Sequence, residues 1–329
     1  MSDKVQIIKA AKQMGRIMNK SGQQSFTEQT NKDKGGTKST SRVIALVWFA
    51  VFSASTASIF TRYSTSPSLV LAAYRKTFAA LMMLPVVLLN PEYRNELRKV
   101  SKRTGLLCLL SGFFLAIHFW TYFLSLHNTT IAATQILIGM EVLFVALFMF
   151  VTGKETFSKW SRMGIFIALG GSVLVAYTHG GSQSGGMLFG NIMGFVSGLM
   201  LACYSVIGKK VRDEGLSNNV YSLLVYGSSA IILNLMVLVS PYHFTGYGSI
   251  NYLMAFLMAV FNSLMGHSIF NWSFKYVSPT LVAMIKLFMP VFAAIWALLL
   301  FKEIPSWNQL AGGVIVIIGI FLYINNKAE

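Results

Sequence analysis

From residue 43 onward the chain reads as a succession of apolar runs divided by short polar connections, at about 43–60, 68–89, 104–124, 130–151, 161–177, 187–207, 219–240, 250–270, 280–300 and 307–324. A helix needs roughly 20 mostly apolar residues to cross a hydrocarbon core about 30 Å thick. Each run meets that length to within a few residues, so the pattern predicts ten transmembrane helices. Residues 1–42 carry no such run and form a basic arm, with no cleavable secretory signal expected in it. Within the arm Ile7, Ile8, Ala11, Met14 and Met18 recur at helical spacing opposite Lys9, Lys12, Arg16 and Lys20. That spacing suits either a short helix lying on an anionic membrane surface or a soluble basic arm. Residues 21–41 are polar and read as a disordered tether.

The apolar pattern is written twice. A shift of 148 positions pairs Ser125, Phe144, Ala146, Lys154, Glu155, Ser158, Gly164, Ile167, Gly171 and Leu174 with Ser273, Phe292, Ala294, Lys302, Glu303, Ser306, Gly312, Ile315, Gly319 and Leu322. Apolar matches recur by composition alone, but a Lys-Glu pair between two apolar runs, followed by glycines at matched spacing, points to an internal duplication. The domains are therefore the arm, 1–42, a first repeat, 43–177, and a second, 187–324. Five crossings per repeat is an odd number, so the second copy enters the membrane from the side opposite to the first. The predicted fold is an all-α polytopic membrane protein whose ten transmembrane helices form two inverted five-helix repeats, an arrangement used by secondary transporters.

Composition agrees: 54% of the 329 residues are hydrophobic and only 12% charged, too few to clothe a soluble surface. The net charge of +16 would suggest nucleic acid in a soluble protein, but here the positive residues fall between the runs. With a cytoplasmic N-terminus, the inner segments hold 22 Lys and Arg and the outer loops only Arg62 and Lys302, the bias of cytoplasmic loops. Both termini are expected in the cytoplasm of a cell (inner) membrane protein. Cys108 and Cys203 lie inside apolar runs and signal neither a disulfide nor a metal site.

Ionisable side chains inside the runs are the best pointers to a pathway, since a charge at a helix centre costs at least about 2.5–3.5 kcal/mol on insertion scales. Glu141 stands mid-run in the fourth segment, on the helical face of Thr134, as a protonatable coupling group or an anchor for a substrate ammonium. His118 and Tyr122 form a stripe with Ser125 in the third run, and His267 and Asn271 one with Ser263 in the eighth, so the two histidines should face one cavity from equivalent helices. Arg75 and Lys286 lie deep enough to meet a substrate carboxylate or to neutralise Glu141, whereas Lys76 is expected to snorkel toward the interface. Trp120, Tyr204, Phe270 and Trp272 are candidate cavity walls, and Pro85 and Pro290 candidate bends.

The segments HFWTYFLSLHNTTIAAT (118–134), LFVALF (143–148) with GKE (153–155), GHSIFNWSFKYVSPT (266–280) and FKEIPSWNQLAGGVIVIIGIFLY (301–323) resemble the paired signatures of EamA-type proteins of the drug/metabolite transporter superfamily. AAYRKTFAALMMLP (72–85) is similar to the family's second helix, with its Arg in an apolar setting. The resemblance implies a central cavity between the halves and export of small metabolites, often amino acids. Bacterial relatives often read Gln-Pro where this chain has Glu141-Val142, and Glu-Pro where it has Met289-Pro290. The central acid has changed halves, and a family role for that Glu does not carry over to Met289.

The expected activity is therefore secondary transport, with Glu141 coupling and His118 and His267 binding solute or relaying protons. An uptake carrier or antiporter of small organic anions is the alternative, in which the basic residues dominate. From a different class, a membrane enzyme or a scaffold without transport is the remaining alternative: the runs hold one carboxylate, no HExxH, and two histidines without an acid in register, and little of the chain lies outside the runs to form a signalling domain. The expected partners are a small-molecule substrate and the lipid bilayer, with no nucleic acid, no cofactor and no metal, in a monomer or homodimer.

Overall fold

The structure is a computed structural model that describes residues 41–151, 158–176, 184–273, 276, 282, 285, 286 and 288–325. The basic arm up to residue 40 and the first Lys-Glu pair, Lys154 and Glu155, lie outside the described residues. In chain order the helices are α1 (Ser41–Tyr63), α2 (Ser68–Leu89), α3 (Pro91–Arg98), α4 (Lys102–Asn128), α5 (Ile131–Gly139), α6 (Glu141–Val151), α7 (Lys159–Ala176), α8 (Ser184–Asp213), α9 (Asn218–Leu238), α10 (Ser249–Ser273), α11 (Met289–Phe301) and α12 (Trp307–Asn325). Among the described residues, six of these helices (α1, α2, α4, α8, α9 and α10) are long and apolar enough to cross a membrane. The fourth run is split between α5 and α6, and α7, α11 and α12 account for the shorter remainder. Each of the ten runs thus contains helix among its described residues, and α3 is a polar connecting helix.

Polar connections set the helix starts. Asn90 Oδ1 accepts from Glu92 N at 2.8 Å, Ser101 Oγ from Thr104 N at 3.1 Å, Thr130 Oγ1 from Ala133 N at 3.1 Å and Ser217 Oγ from Val220 N at 3.3 Å. Each satisfies a backbone donor that the first helical turn leaves over. Pro85 stands inside α2, as expected, but Pro290 occupies the first turn of α11 and starts that helix instead of bending it. At N1 or N2 the missing N–H costs nothing, because that donor would have no intrahelical partner.

From Val47 onward the chain is one compact unit, and its helix pairings repeat under a shift of five runs. α2 packs along α9, α5 along α11 and α7 along α12, each joining equivalent helices of the two halves. The packing of α4 on α8 has its image in α10 on α1, where Ser53 Oγ donates to the Phe261 carbonyl at 2.6 Å. The contact of α4 with α9 has its image in α10 with α2. This is the pseudo-two-fold of an inverted repeat.

One end of the bundle is tied across both halves. Arg62 Nη2 donates to the Thr129 carbonyl at 3.0 Å and to Glu303 Oε2 at 3.3 Å, while Glu303 Oε1 accepts from Ile131 N at 2.6 Å. Asn251 Oδ1 accepts from Ser64 Oγ at 2.8 Å, Thr65 N at 2.8 Å and Ser66 N at 2.9 Å. These residues lie in the connections after the first, third, seventh and ninth runs or within the first turn of the run that follows. An even number of crossings separates any two of them, so their meeting at one end agrees with the ten-run parse.

The α7–α12 seam depends on the repeated glycines. A Cβ on Gly164 would stand 2.5 Å from the Gly319 carbonyl, and one on Gly319 would stand 2.5 Å from the Ala168 nitrogen. Backbone against backbone leaves nothing that can move aside, whereas Gly170 in the same helix faces open space. Gly164→Leu is therefore expected to lower the melting temperature of the purified protein by several degrees, the effect of overpacking by about 1–3 kcal/mol, with Gly170→Leu near wild type. Equal melting of the two variants would dissolve this account of the seam.

Candidate functional site

Three local features bring polar side chains to the middle of the bundle. The fourth run does not continue as one helix: Met140 N bonds back to the Leu137 carbonyl at 3.2 Å and Leu143 N to the Met140 carbonyl at 3.0 Å, a tight turn between α5 and α6. Glu141 therefore opens α6, where a carboxylate is favoured by the helix N-terminal dipole. Residues Met258–His267 of α10 wind as a π-helix, and Ser268 N reaches back five residues to the Ser263 carbonyl. The wider turn re-aims Asn262, Ser263 and His267 relative to an α-helix, a feature frequent at functional sites. In α4, His118 and Tyr122 stand one turn apart with Phe119 between them.

These elements enclose a cavity with about 80 Å³ in which a water-sized sphere can be centred, room for several waters. Its walls include Arg75, His118, Phe119, Tyr122, Gln135, Glu141, Leu201, Asn262, His267, Phe270 and Lys286.

Glu141 is 7% exposed. Its Oε2 accepts from Lys286 Nζ at 2.5 Å and its Oε1 from Ser205 Oγ at 2.7 Å. Arg75 is 1% exposed; its Nε donates to Ser263 Oγ at 3.3 Å, its guanidinium carbon lies 3.9 Å from the centre of the Phe119 ring, and its Nη1 has no hydrogen-bond partner among the described residues. The expectation that Lys76 snorkels is corrected. Its side chain is fully buried, with Nζ 3.5 Å from Ser263 Oγ, 4.0 Å from the Phe119 ring centre and 4.3 Å from that of Tyr226. It turns inward because aromatic faces and a hydroxyl stand within its reach there.

The histidine rings lie 6.4 Å apart on the cavity wall. His118 Nδ1 is 3.0 Å from the Ser197 carbonyl and 2.8 Å from Ser197 Oγ, contacts that tie α4 to α8 at the cavity. Tyr122 stacks on His118 and its hydroxyl accepts from Gln135 Nε2 at 3.2 Å.

Four expected site residues stand off the cavity. Thr134 hydrogen-bonds Ser125 at 2.8 Å and holds α5 to α4, because the break at Met140 ends the helical face it was to share with Glu141. Asn271 donates to the Tyr204 hydroxyl at 2.7 Å, so these two buried groups satisfy each other. Trp120 is half-buried against the core. The polar and aromatic cavity residues missing from the sequence reading are Gln135, Asn262 and Phe119, together with Ser205, which bonds Glu141; Ser263, which bonds Arg75, belongs to the stripe expected in the eighth run. Gln135 and Asn262 were detectable as amides inside apolar runs; for Ser205 no pattern in the sequence gives a signal. Among the described residues no group of three or more His, Cys, Asp or Glu is placed to hold a metal ion.

Removing one member of a buried ion pair leaves the other uncompensated, at a cost of about 3–5 kcal/mol. Glu141→Gln and Lys286→Gln are each expected to lower the melting temperature by several degrees, and the double variant to recover part of the loss. A double-variant loss equal to the sum of the single losses would mean that the groups do not interact.

Comparison with known proteins places this geometry in a family. The EamA-like transporter family matches residues 41–177 and again 188–325. An uncharacterized transporter of Archaeoglobus fulgidus is 27% identical over 258 residues, 77% of this chain and 86% of its own length. The uncharacterized transporter YyaM of Bacillus subtilis is 26% identical over 291 residues, 84% of this chain and 91% of its own. A solved crystal structure shares the fold at a TM-score of 0.59 with 16% identity, covering 86% of this chain and 96% of the other. With two copies of the family's unit across its ten apolar runs and a cavity walled in part by buried charges between them, the chain belongs to the EamA-like transporter family.

Proposed function

We propose that this protein is a secondary transporter that moves a small metabolite out of the cell by alternating access around the central cavity, with Glu141 as its coupling group. The observation that carries the reading is the pair Glu141–Lys286, which joins the fourth run of the first half to the residues preceding α11, its counterpart in the second. A contact between pseudo-equivalent elements is made or broken when two inverted halves rock against each other. Protonation of Glu141 removes its charge, frees Lys286 and loosens that junction; deprotonation restores it. His118 and His267 stand close enough to take part in binding or in passing the proton.

The charge distribution of 22 Lys and Arg against two supports a cytoplasmic position for both termini and an outward-facing position for the ties around Arg62, Glu303 and Asn251. Those ties then form the outer closure, which opens to release solute. The transporter names of the relatives, and the absence of a second carboxylate among the described cavity walls, favour transport over a hydrolytic role.

Reconstituted into proteoliposomes, the protein is expected to catalyse counterflow of labelled solute identified from the medium of overexpressing cells. Glu141→Gln that still elutes as folded protein is expected to keep counterflow and to lose accumulation driven by a pH gradient. Gradient-driven accumulation at the wild-type rate would remove Glu141 from coupling, and the absence of counterflow in wild type would remove transport itself.

A further inference from the structure

Among the described residues, Arg75 and Asn262 are the cavity-wall residues that each keep one buried polar side-chain atom without a hydrogen-bond partner. The guanidinium is held on two sides, by Ser263 Oγ on Nε and by the Phe119 ring on its face, while Nη1 is buried without a partner. A guanidinium fixed this way presents its remaining donors in one geometry, the arrangement that suits a carboxylate. The orientation of the Asn262 amide is also set. Its Nδ2 donates to the Ser53 carbonyl at 2.7 Å, the Ala54 carbonyl at 3.3 Å and Thr56 Oγ1 at 3.1 Å, so the nitrogen belongs where three acceptors lie. The oxygen, Oδ1, is left buried and without a donor among the described residues.

Charge points the same way. Glu141 is the acid on the described cavity wall, and Lys286 and Ser205 already occupy its two oxygens. Among the described residues neither Arg75 nor fully buried Lys76 has a carboxylate partner; the aromatic faces of Phe119 and Tyr226 attract the cations without cancelling their charge. A buried surplus of positive charge is costly in a low-dielectric interior, and an anionic occupant relieves it.

We infer that the transported solute is a small carboxylate anion that also carries an uncharged hydrogen-bond donor, a hydroxycarboxylate in type, with Arg75 binding its carboxylate and Asn262 accepting from its hydroxyl. This rests on the transporter reading and narrows its substrate class. It departs from the amino acids implied by the family resemblance, because the ammonium group of an amino acid would meet the field of Arg75 and Lys76. The small cavity fits a solute of a few carbons.

The test is the melting temperature of the full chain in detergent at constant ionic strength, with lactate, malate, lactamide and dimethyl malate as probes. Lactate or malate is expected to raise it by about 2 °C or more at saturation, with no shift from the uncharged analogues. Arg75→Gln is expected to abolish the shift and Arg75→Lys to retain part of it. Should Arg75→Gln fail to fold, Ala57→Leu, which fills the cavity from its wall and leaves Arg75 in place, is expected to abolish the shift instead. Equal shifts from the uncharged analogues, a shift that survives both Arg75→Gln and Ala57→Leu, or no shift from either anion would each overturn the inference. Counterflow with the same probes separates the two readings. A protein that exchanges its solute but ignores the carboxylates loses only the anion assignment, and one that binds them without counterflow loses only the transporter.

Discussion

Glu141 and Lys286 meet at 2.5 Å in the interior of a protein built to sit in hydrocarbon, and the design of the centre depends on that contact. A lone carboxylate or ammonium at this depth is expensive, so each holds the other in place. Their elements belong to different halves. A neutralisation that the interior demands is thereby also a clasp between two units that the family fold places in opposite orientations.

Around the clasp the two halves are joined by contacts of different strength. At the α7–α12 seam, backbone lies against backbone across Gly164, Gly171, Gly312 and Gly319, and dispersion acts over a strip with no side chain to rearrange. Such a seam resists sliding. The closure around Arg62, Glu303 and Asn251 consists instead of a few polar bonds between short connections, and these can be exchanged for water at little net cost. The bundle thus combines a close-packed flank with a rim held by a few polar bonds.

The π-helical stretch of α10 shows how a local irregularity serves the site. Its wider turn places Ser263 where both Arg75 and Lys76 reach the hydroxyl, with Asn262 and His267 on the cavity wall. The break at Met140 does the equivalent work in the first half, converting what would have been a mid-helix glutamate into the first residue of α6. The two irregularities fall in different runs of the two halves, so an otherwise repeated fold acquires an asymmetric centre.

Much of this was legible without coordinates. Ten apolar runs, the 148-residue shift with its glycines and Lys-Glu pairs, and the loop charge bias determine a duplicated, inverted, polytopic fold, because lipid requires continuous apolar helices and the translocation machinery reads positive loops. The polar residues inside the runs marked Glu141, Arg75, Lys286 and the two histidines as the side chains that need a partner. Which partner each takes was decided by the tertiary structure alone. Periodicity assigns residues to faces of uninterrupted helices, and here one helix breaks at Met140 and another widens at Met258–His267, so Thr134 leaves the cavity and Asn262 lines it. Lys76 goes inward, Lys286 claims Glu141 and Arg75 is left with a free donor, because pairing inside a bundle depends on distances of a few ångströms between helices remote in sequence.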